Sequence, residues 1–429
     1  MLRSVAVVAL LGGCGFHPGL AGDGSLGSDD AGTGSALPDG ALGSDGGIVP
    51  IVRCGTPGAV RDDFATAATA GTGQWFVFGT PVVSGGVLSV TPNSATAFAG
   101  YYAKHSIDLT AANVTVQVPQ MISTTANATA GMYLFDDLTH YLAVYQQLGM
   151  LVAEYANGGA ATNQKIAYDS TQLWWRIAEA NGQILFQWSS DNATWTAFGP
   201  PLATPSFATR TNIALGGLSF DNQAHGTVRY DSLNLAADPA PWCKAGTFHD
   251  GFARTTIGFD WSRRLNPTNG NGCTPTVNSG AHFDQNGTQN SRCWLVTQAA
   301  FDASESSAMI YVPTITASRA GWSVFLRGVT DDLDAIYLQY QDPAMLCARV
   351  NSTPPVCKPY DPSYVYLRIR EAGGQLSFEA SADAMAWASI AQVATPFSLA
   401  RTQFEIGTAT TNGFSGTLPQ TISAYNAPP

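Results

Sequence analysis

Two aromatic and arginine pairs are the side chains best suited to hold a ligand: Trp174 with Arg176 and Tyr366 with Arg368. A flat ring can stack on the C–H face of a sugar while a guanidinium beside it donates to hydroxyls. Two acidic pairs come next, Asp136-Asp137 and Asp331-Asp332, each entering a strand from a loop. Loop carboxylates could ligate calcium, which takes six to eight oxygens, or contact saccharide hydroxyls. Two adjacent Asp do not make a site, so turn hydrogen bonding is the first expectation there. The six His (His17, His105, His140, His225, His249 and His282) form no spaced metal motif and no His-Glu-x-x-His. No catalytic residue and no resident metal or cofactor is expected from these patterns, with calcium the one open case.

The elements that position the aromatic pairs can be resolved to side chains. Asn181-Gly182 and Gly373-Gly374 are preferred two-residue hairpin turns, so residues 173–178 and 184–189 pair antiparallel about the first. Counting out from the turns sets Ile177 opposite Phe186 and Ile369 opposite Phe378, which makes one face core. The other face carries Trp174 and Arg176 opposite Ser189 and Gln187, and Tyr366 and Arg368 opposite Ser381 and Glu379. Arg368 and Glu379 can also form a cross-strand ion pair that supports the sheet without any ligand. Glu179 and Glu371 flank the turns and are read as acceptors for turn amides.

These hairpins belong to a duplication. Residues 168–195 and 360–387 share twelve identities without a gap, among them Tyr168-Asp169, Arg176-Ile177, Glu179-Ala180, Gly182-Gln183 and Trp195 in the first copy. Asp136-Asp137-Leu138 with Tyr145 matches Asp331-Asp332-Leu333 with Tyr340 upstream, and Arg210-Thr211 matches Arg401-Thr402 downstream. The Pro-rich joint around Pro239 and Pro241 divides the body into residues 53–238 and 242–429. Short alternating segments such as Val114, Val116 and Val118 have the period of strands, and no window keeps a helical stripe for three turns. The expectation is all-β: two tandem jelly-roll β-sandwich domains.

Paired units of about 190 residues with an aromatic-x-Arg-Ile strand, a tight hairpin and Ser-x-Asp-x-x-x-Trp (Ser189, Asp191 and Trp195; Ser381, Asp383 and Trp387) resemble the concanavalin A-like lectin/glucanase superfamily, which includes laminin G-like modules. The resemblance implies a two-sheet jelly roll whose concave face and adjoining loops often bind carbohydrate. Laminarinase-type members carry a Glu-x-Asp-x-x-Glu strand with nucleophile and acid about 5 Å apart. Here none of the six Glu (Glu154, Glu179, Glu305, Glu371, Glu379 and Glu405) has a carboxylate two residues on. Trp195 and Trp387 are read as core anchors.

The N-terminus reads as export machinery. Arg3, an apolar run from Val5 to Leu11, and Leu11-Gly12-Gly13-Cys14 resemble a signal peptide (residues 1–14) ending in a bacterial lipobox. Lipidation of Cys14 would tie the chain to a bilayer; the alternative is a plain signal peptide cut elsewhere. Gly15 after the Cys resembles the sorting pattern of outer-membrane lipoproteins, with the inner membrane as the alternative. Residues 15–52 hold 11 Gly and 5 Asp with no Lys or Arg, and read as a disordered acidic tether. Six Cys remain in an exported chain, with expected pairs Cys54–Cys243, Cys273–Cys293 and Cys347–Cys357. The net charge of −11 repels phosphate backbones, so nucleic acid is no partner. The leading expectation is a cell-surface lipoprotein that binds a glycan or another extracellular polymer. The alternatives are a glycoside hydrolase or lyase of the same fold, or a structural or adhesive protein-binding module.

Overall fold

The computed structural model describes residues 54–426 apart from 69–72, 96, 138, 238, 256, 258–259, 266–273, 287–291, 316–320, 332, 342 and 411–416. Cys14, the tether, Cys273 and Asp332 therefore lie outside the described residues. Among the described residues every strand ladder is antiparallel, and no sheet mixes strands from the two halves of the chain. In the first unit a seven-stranded sheet runs in the order Trp75–Phe78, Ala99–Ala103, Asn212–Ser219, Ala128–Phe135, His140–Gln147, Met150–Asn157, Thr162–Ala167. Facing it, Trp174–Ala180 pairs with Asn113–Gln120 on one side and Gln183–Ser189 on the other. The second unit repeats this plan, with Gly321–Thr330 central in a seven-stranded sheet and Tyr366–Ala372 central in a five-stranded one.

Alternation along each strand builds the core. Met132, Leu134, Leu142, Val144, Ile213 and Leu215 point from the first sheet onto Val114, Val116, Trp175, Ile177 and Phe186 of the second. The hairpin register is the one counted from the turn: Ile177 opposes Phe186, Trp174 opposes Ser189, and Ile369 opposes Phe378. The fold is thus a pair of β-sandwiches.

Buried polar groups repeat with the fold. Asn234 accepts the Thr115 N–H at 2.9 Å and donates to the carbonyls of Pro57 and Val60; Asn426 accepts from Met309 at 2.6 Å and donates to Ala245 and Phe248. Glu179 takes the N–H groups of Ala111 and Gly182 and the Thr204 hydroxyl, and Glu371 takes those of Glu305 and Gly374 and the Thr395 hydroxyl. Each of these side chains satisfies backbone donors at turns and strand ends that no ladder pairs. Asp62 and Asp250 likewise accept the indole N–H of Trp75 and Trp261, at 2.5 and 2.8 Å.

The units meet through equivalent surfaces. Lys104 and Gln298 occupy matching places, each donating its N–H to Gln74 or Asp260, and Ile107–Thr211 and Phe301–Thr402 are matching bridges. Arg401 reaches Gln74 of the first unit at 3.5 Å, and the Asp260 carboxylate of the second unit acts in turn on Arg210. This reciprocity is that of a two-fold, isologous contact formed within one chain. The Cys54–Cys243 disulfide crosses the joint, and Gly55 N–H donates to Pro241 at 2.8 Å beside it. Cys347–Cys357 links two adjacent strands. Cys293 is disulfide-bonded and buried, while its expected partner Cys273 falls outside the described residues.

Candidate functional site

The expected aromatic and arginine pairs lie on the outer face of their sheets, but the contacts there are internal. Arg176 donates to Gln187 at 2.8 Å and lies over the Trp195 ring, 4.0 Å from its centre. Arg368 pairs with Glu379 at 2.7 Å and lies 3.7 Å over Trp387. Trp195 and Trp387 are accordingly half-buried lids on arginines, not core anchors. The Ser-x-Asp-x-x-x-Trp segments explain this placement. Asp191 accepts the N–H groups of Ala193 and Thr194, and Asp383 those of Met385 and Ala386, folding each turn so that the indole returns over the strand. Trp174 is half-buried, whereas Tyr366 is 7% exposed and packed on Tyr311 with ring centres 4.9 Å apart. The second copy therefore offers no free stacking ring at this register.

The Asp pairs also separate. Asp137 accepts the Thr139 and His140 N–H groups and binds the His140 ring at 2.9 Å, a turn role. Asp136 is buried behind it, with Arg210 at 3.7 Å. Asp331 lies between the two units, bonded to His105 and 3.1 Å from Arg401, so it is not open to a ligand. Among the described residues no three His, Cys, Asp or Glu side chains converge as a metal site.

The larger aromatic surface was not singled out by motif. On the first unit's seven-stranded sheet, the face away from the core carries a row in register across all seven strands: Phe76, Tyr102, Ala214, Tyr133, Ala143, Glu154, Asn163. The next row is Phe78, Gly100, Gly216, Gly131, Tyr145, Val152, Lys165. Three adjacent glycines leave a trough into which Phe98 folds; a Cβ on Gly216 would sit 2.6 Å from its ring. Phe98, Tyr133 and Tyr145 then form a closed layer, Tyr133 stacked on Tyr145 at 6.1 Å. Beside it Phe76, Phe78, Tyr102 and Phe135 stay half-buried as a platform, with neighbouring ring centres 5.0 to 6.4 Å apart. The Lys104 ammonium lies 5.7 Å over Phe76 at its rim.

Glu154 is the acid of this face and is 3% exposed. Its two oxygens accept the hydroxyls of Tyr141, at 2.5 Å, and Tyr145. Burial and this carboxylate push both hydroxyls up from the ordinary phenol value, so they remain protonated donors. A glycosidase pair needs a second carboxyl roughly 5 to 9.5 Å away. The row neighbours of Glu154 are Ala143 and Asn163.

No protein-family model and no curated protein matches the chain. Among solved structures, a laminarinase from Flavobacterium sp. UMI-01 aligns with 42% of this chain and 97% of its own, at 10% identity and a TM-score of 0.34. The CBM2 module of the Lactobacillus casei BL23 phage J-1 evolved Dit aligns with 41% of this chain and 93% of its own, at 12% identity and 0.30. A legume lectin-like domain from Entamoeba histolytica aligns with 37% and 88%, at 11% identity and 0.29. Nothing about this chain's activity follows from likenesses at this level.

Proposed function

We propose that the protein binds carbohydrate, or an extracellular polymer of similar chemistry, through the outer face of the first unit's seven-stranded sheet. The observation that carries this reading is the platform of Phe76, Phe78, Tyr102 and Phe135, four half-buried rings on one sheet face. Rings held by a sheet lose little freedom on binding, and their faces suit the C–H side of a sugar. The small residue Ala214, between Tyr102 and Tyr133, keeps the surface low enough for a ligand to lie across the strands. In this reading the units are tandem concanavalin A-like jelly rolls. Acylated Cys14 and the tether of residues 15–52 hold them off a bacterial outer membrane at the cell surface. A glycan-array screen of the full chain and of Tyr102→Ala tests the binding. Retention of a glycan by the parent and its loss in the variant supports the reading; a parent that retains none rejects it.

A further inference from the structure

The outer face of the second unit's seven-stranded sheet holds one arginine in place without compensating its charge. Arg327, Tyr337 and Arg349 stand in register on three neighbouring strands, with Glu405 next to Arg327 on a fourth. The first three are half-buried, and Glu405 is 1% exposed. Glu405 pairs with Arg327 at 2.6 Å, and the Arg327 guanidinium also lies 4.8 Å over the Tyr337 ring. The Arg349 guanidinium lies 5.7 Å over that ring and donates its Nε–H to the Asn351 carbonyl at 2.5 Å. Among the described residues its two terminal nitrogens meet no acceptor and it pairs with no carboxylate. Two arginines and one glutamate leave this row with one positive charge, in a protein whose net charge is −11. The first unit has Tyr133, Ala143 and Glu154 in the places of Arg327, Tyr337 and Arg349, so the sign of the row is reversed. The ladder to the edge strand Val356–Pro359 ends at Ala348, and no strand partner stands on the far side of Arg349.

We infer that this face binds a carboxylate of an acidic polysaccharide, with Arg349 as the anchor. With Nε–H engaged by Asn351, the free edge of the guanidinium is the one carrying its two terminal nitrogens, whose parallel N–H groups match the two oxygens of a carboxylate. Because the Tyr337 ring and the Asn351 carbonyl already fix the group, it loses little freedom on binding. Repulsion from the rest of the acidic chain is largely screened beyond about 8 Å at physiological salt, whereas a contact pair is not. The choice of a polysaccharide rests on the proposed function; the choice of an acidic one rests on the charge of this row.

Calorimetric titration of the full chain with hexagalacturonate, and with its fully methyl-esterified and hence uncharged form, is the test. The acid should bind the parent, less tightly as salt is raised, and about tenfold or more weakly to Arg349→Gln. Arg349→Lys keeps the charge but not the paired donors, should fall between the two, and serves if Arg349→Gln does not fold. The ester should not distinguish the parent from either variant. No binding of the acid by the parent, equal binding of acid and ester, or unchanged binding of the acid in the folded Arg349 variants overturns the inference. Retention of a neutral glycan should be unchanged in Arg349→Gln, and Tyr102→Ala should bind the acid as the parent does, so failure of this face and failure of the first unit's face are separate results.

Discussion

The outer faces of the two seven-stranded sheets can be compared position by position, because their ladders are in the same register. Where the first unit has Tyr102, Ala214, Tyr133, Ala143 and Glu154, the second has Val296, Glu405, Arg327, Tyr337 and Arg349. In the first, a carboxylate is held by two tyrosine hydroxyls beside a ring platform. In the second, Arg327 pairs with Glu405 at 2.6 Å and stacks over Tyr337 at 4.8 Å, with Arg349 on that ring at 5.7 Å. Duplication has kept the frame and exchanged the surface. The inward-facing layer, the buried Asn and Glu acceptors and the arginine-capped hairpins are shared, while no polar or aromatic position of the outer row is. A common ligand chemistry for the two faces is therefore not expected.

The largest effects should fall on what the units share. Trp175→Ala and Leu367→Ala remove equivalent, fully buried side chains from each sandwich, and each should cost about 3 to 5 kcal/mol in denaturant unfolding. A loss confined to one unit would break the equivalence. Asn234→Ala and Asn426→Ala come next, each leaving buried backbone groups unpaired at roughly 1 to 3 kcal/mol. Similar losses at the two sites would confirm that the duplicated polar frame is energetic as well as geometric.

The acids Asp136 and Asp331, matched in the sequence but one residue out of step in the ladders, where Asp331 stands in the place of Asp137, sharpen the contrast through pH. Burial raises the Asp136 carboxyl to about 6, against the pull of Arg210 and with the push of Asp137. Burial also acts on Asp331, but its bond to His105 and the cations Arg401 and Lys104 hold it below the usual carboxylate range. A raised carboxyl stabilises the fold most when protonated, so this contribution is lost as pH climbs from about 4 through about 6. A depressed one stabilises above its unfolded value, and that contribution is lost as pH falls through the native value. Asp136→Asn should thus stabilise the protein at neutral pH, by at most about 3 kcal/mol, and flatten the pH profile of Tm between 4 and 6. Asp331→Asn should destabilise it at neutral pH. Equal and same-signed effects would contradict the opposite shifts assigned to the two carboxyls.

Local chemistry made part of this structure legible. The Asn181-Gly182 turn fixed the Ile177 and Phe186 pair, because a two-residue hairpin leaves one register. Glu179 was readable as a turn acceptor for the same reason. The aromatic platform was not, since its rings come from residues 76, 78, 102 and 135, on strands that only the closed sheet brings together. A signal was present in the ring and small-residue alternation of Gly131 to Phe135 and Tyr141 to Tyr145. The matched Tyr145 and Tyr340 misled, because the ladders are one residue out of step with the sequence match. Tyr145 faces outward and Tyr340 enters the core, and a one-residue slip always exchanges faces. Asp331 was unreadable as a joint residue, its partner His105 lying 226 positions away.

Binding of a retained glycan by two single-ring variants, measured side by side by calorimetry on the full chain, tests the assignment of the sheet face most directly. Tyr102→Ala should lose binding by roughly 1 to 3 kcal/mol, about tenfold to a hundredfold, with Tm little changed, while Trp174→Ala on the opposite sheet should bind as the parent does. Loss of binding in Trp174→Ala together with full binding in Tyr102→Ala would contradict it and return the site to the hairpin face of Trp174 and Arg176.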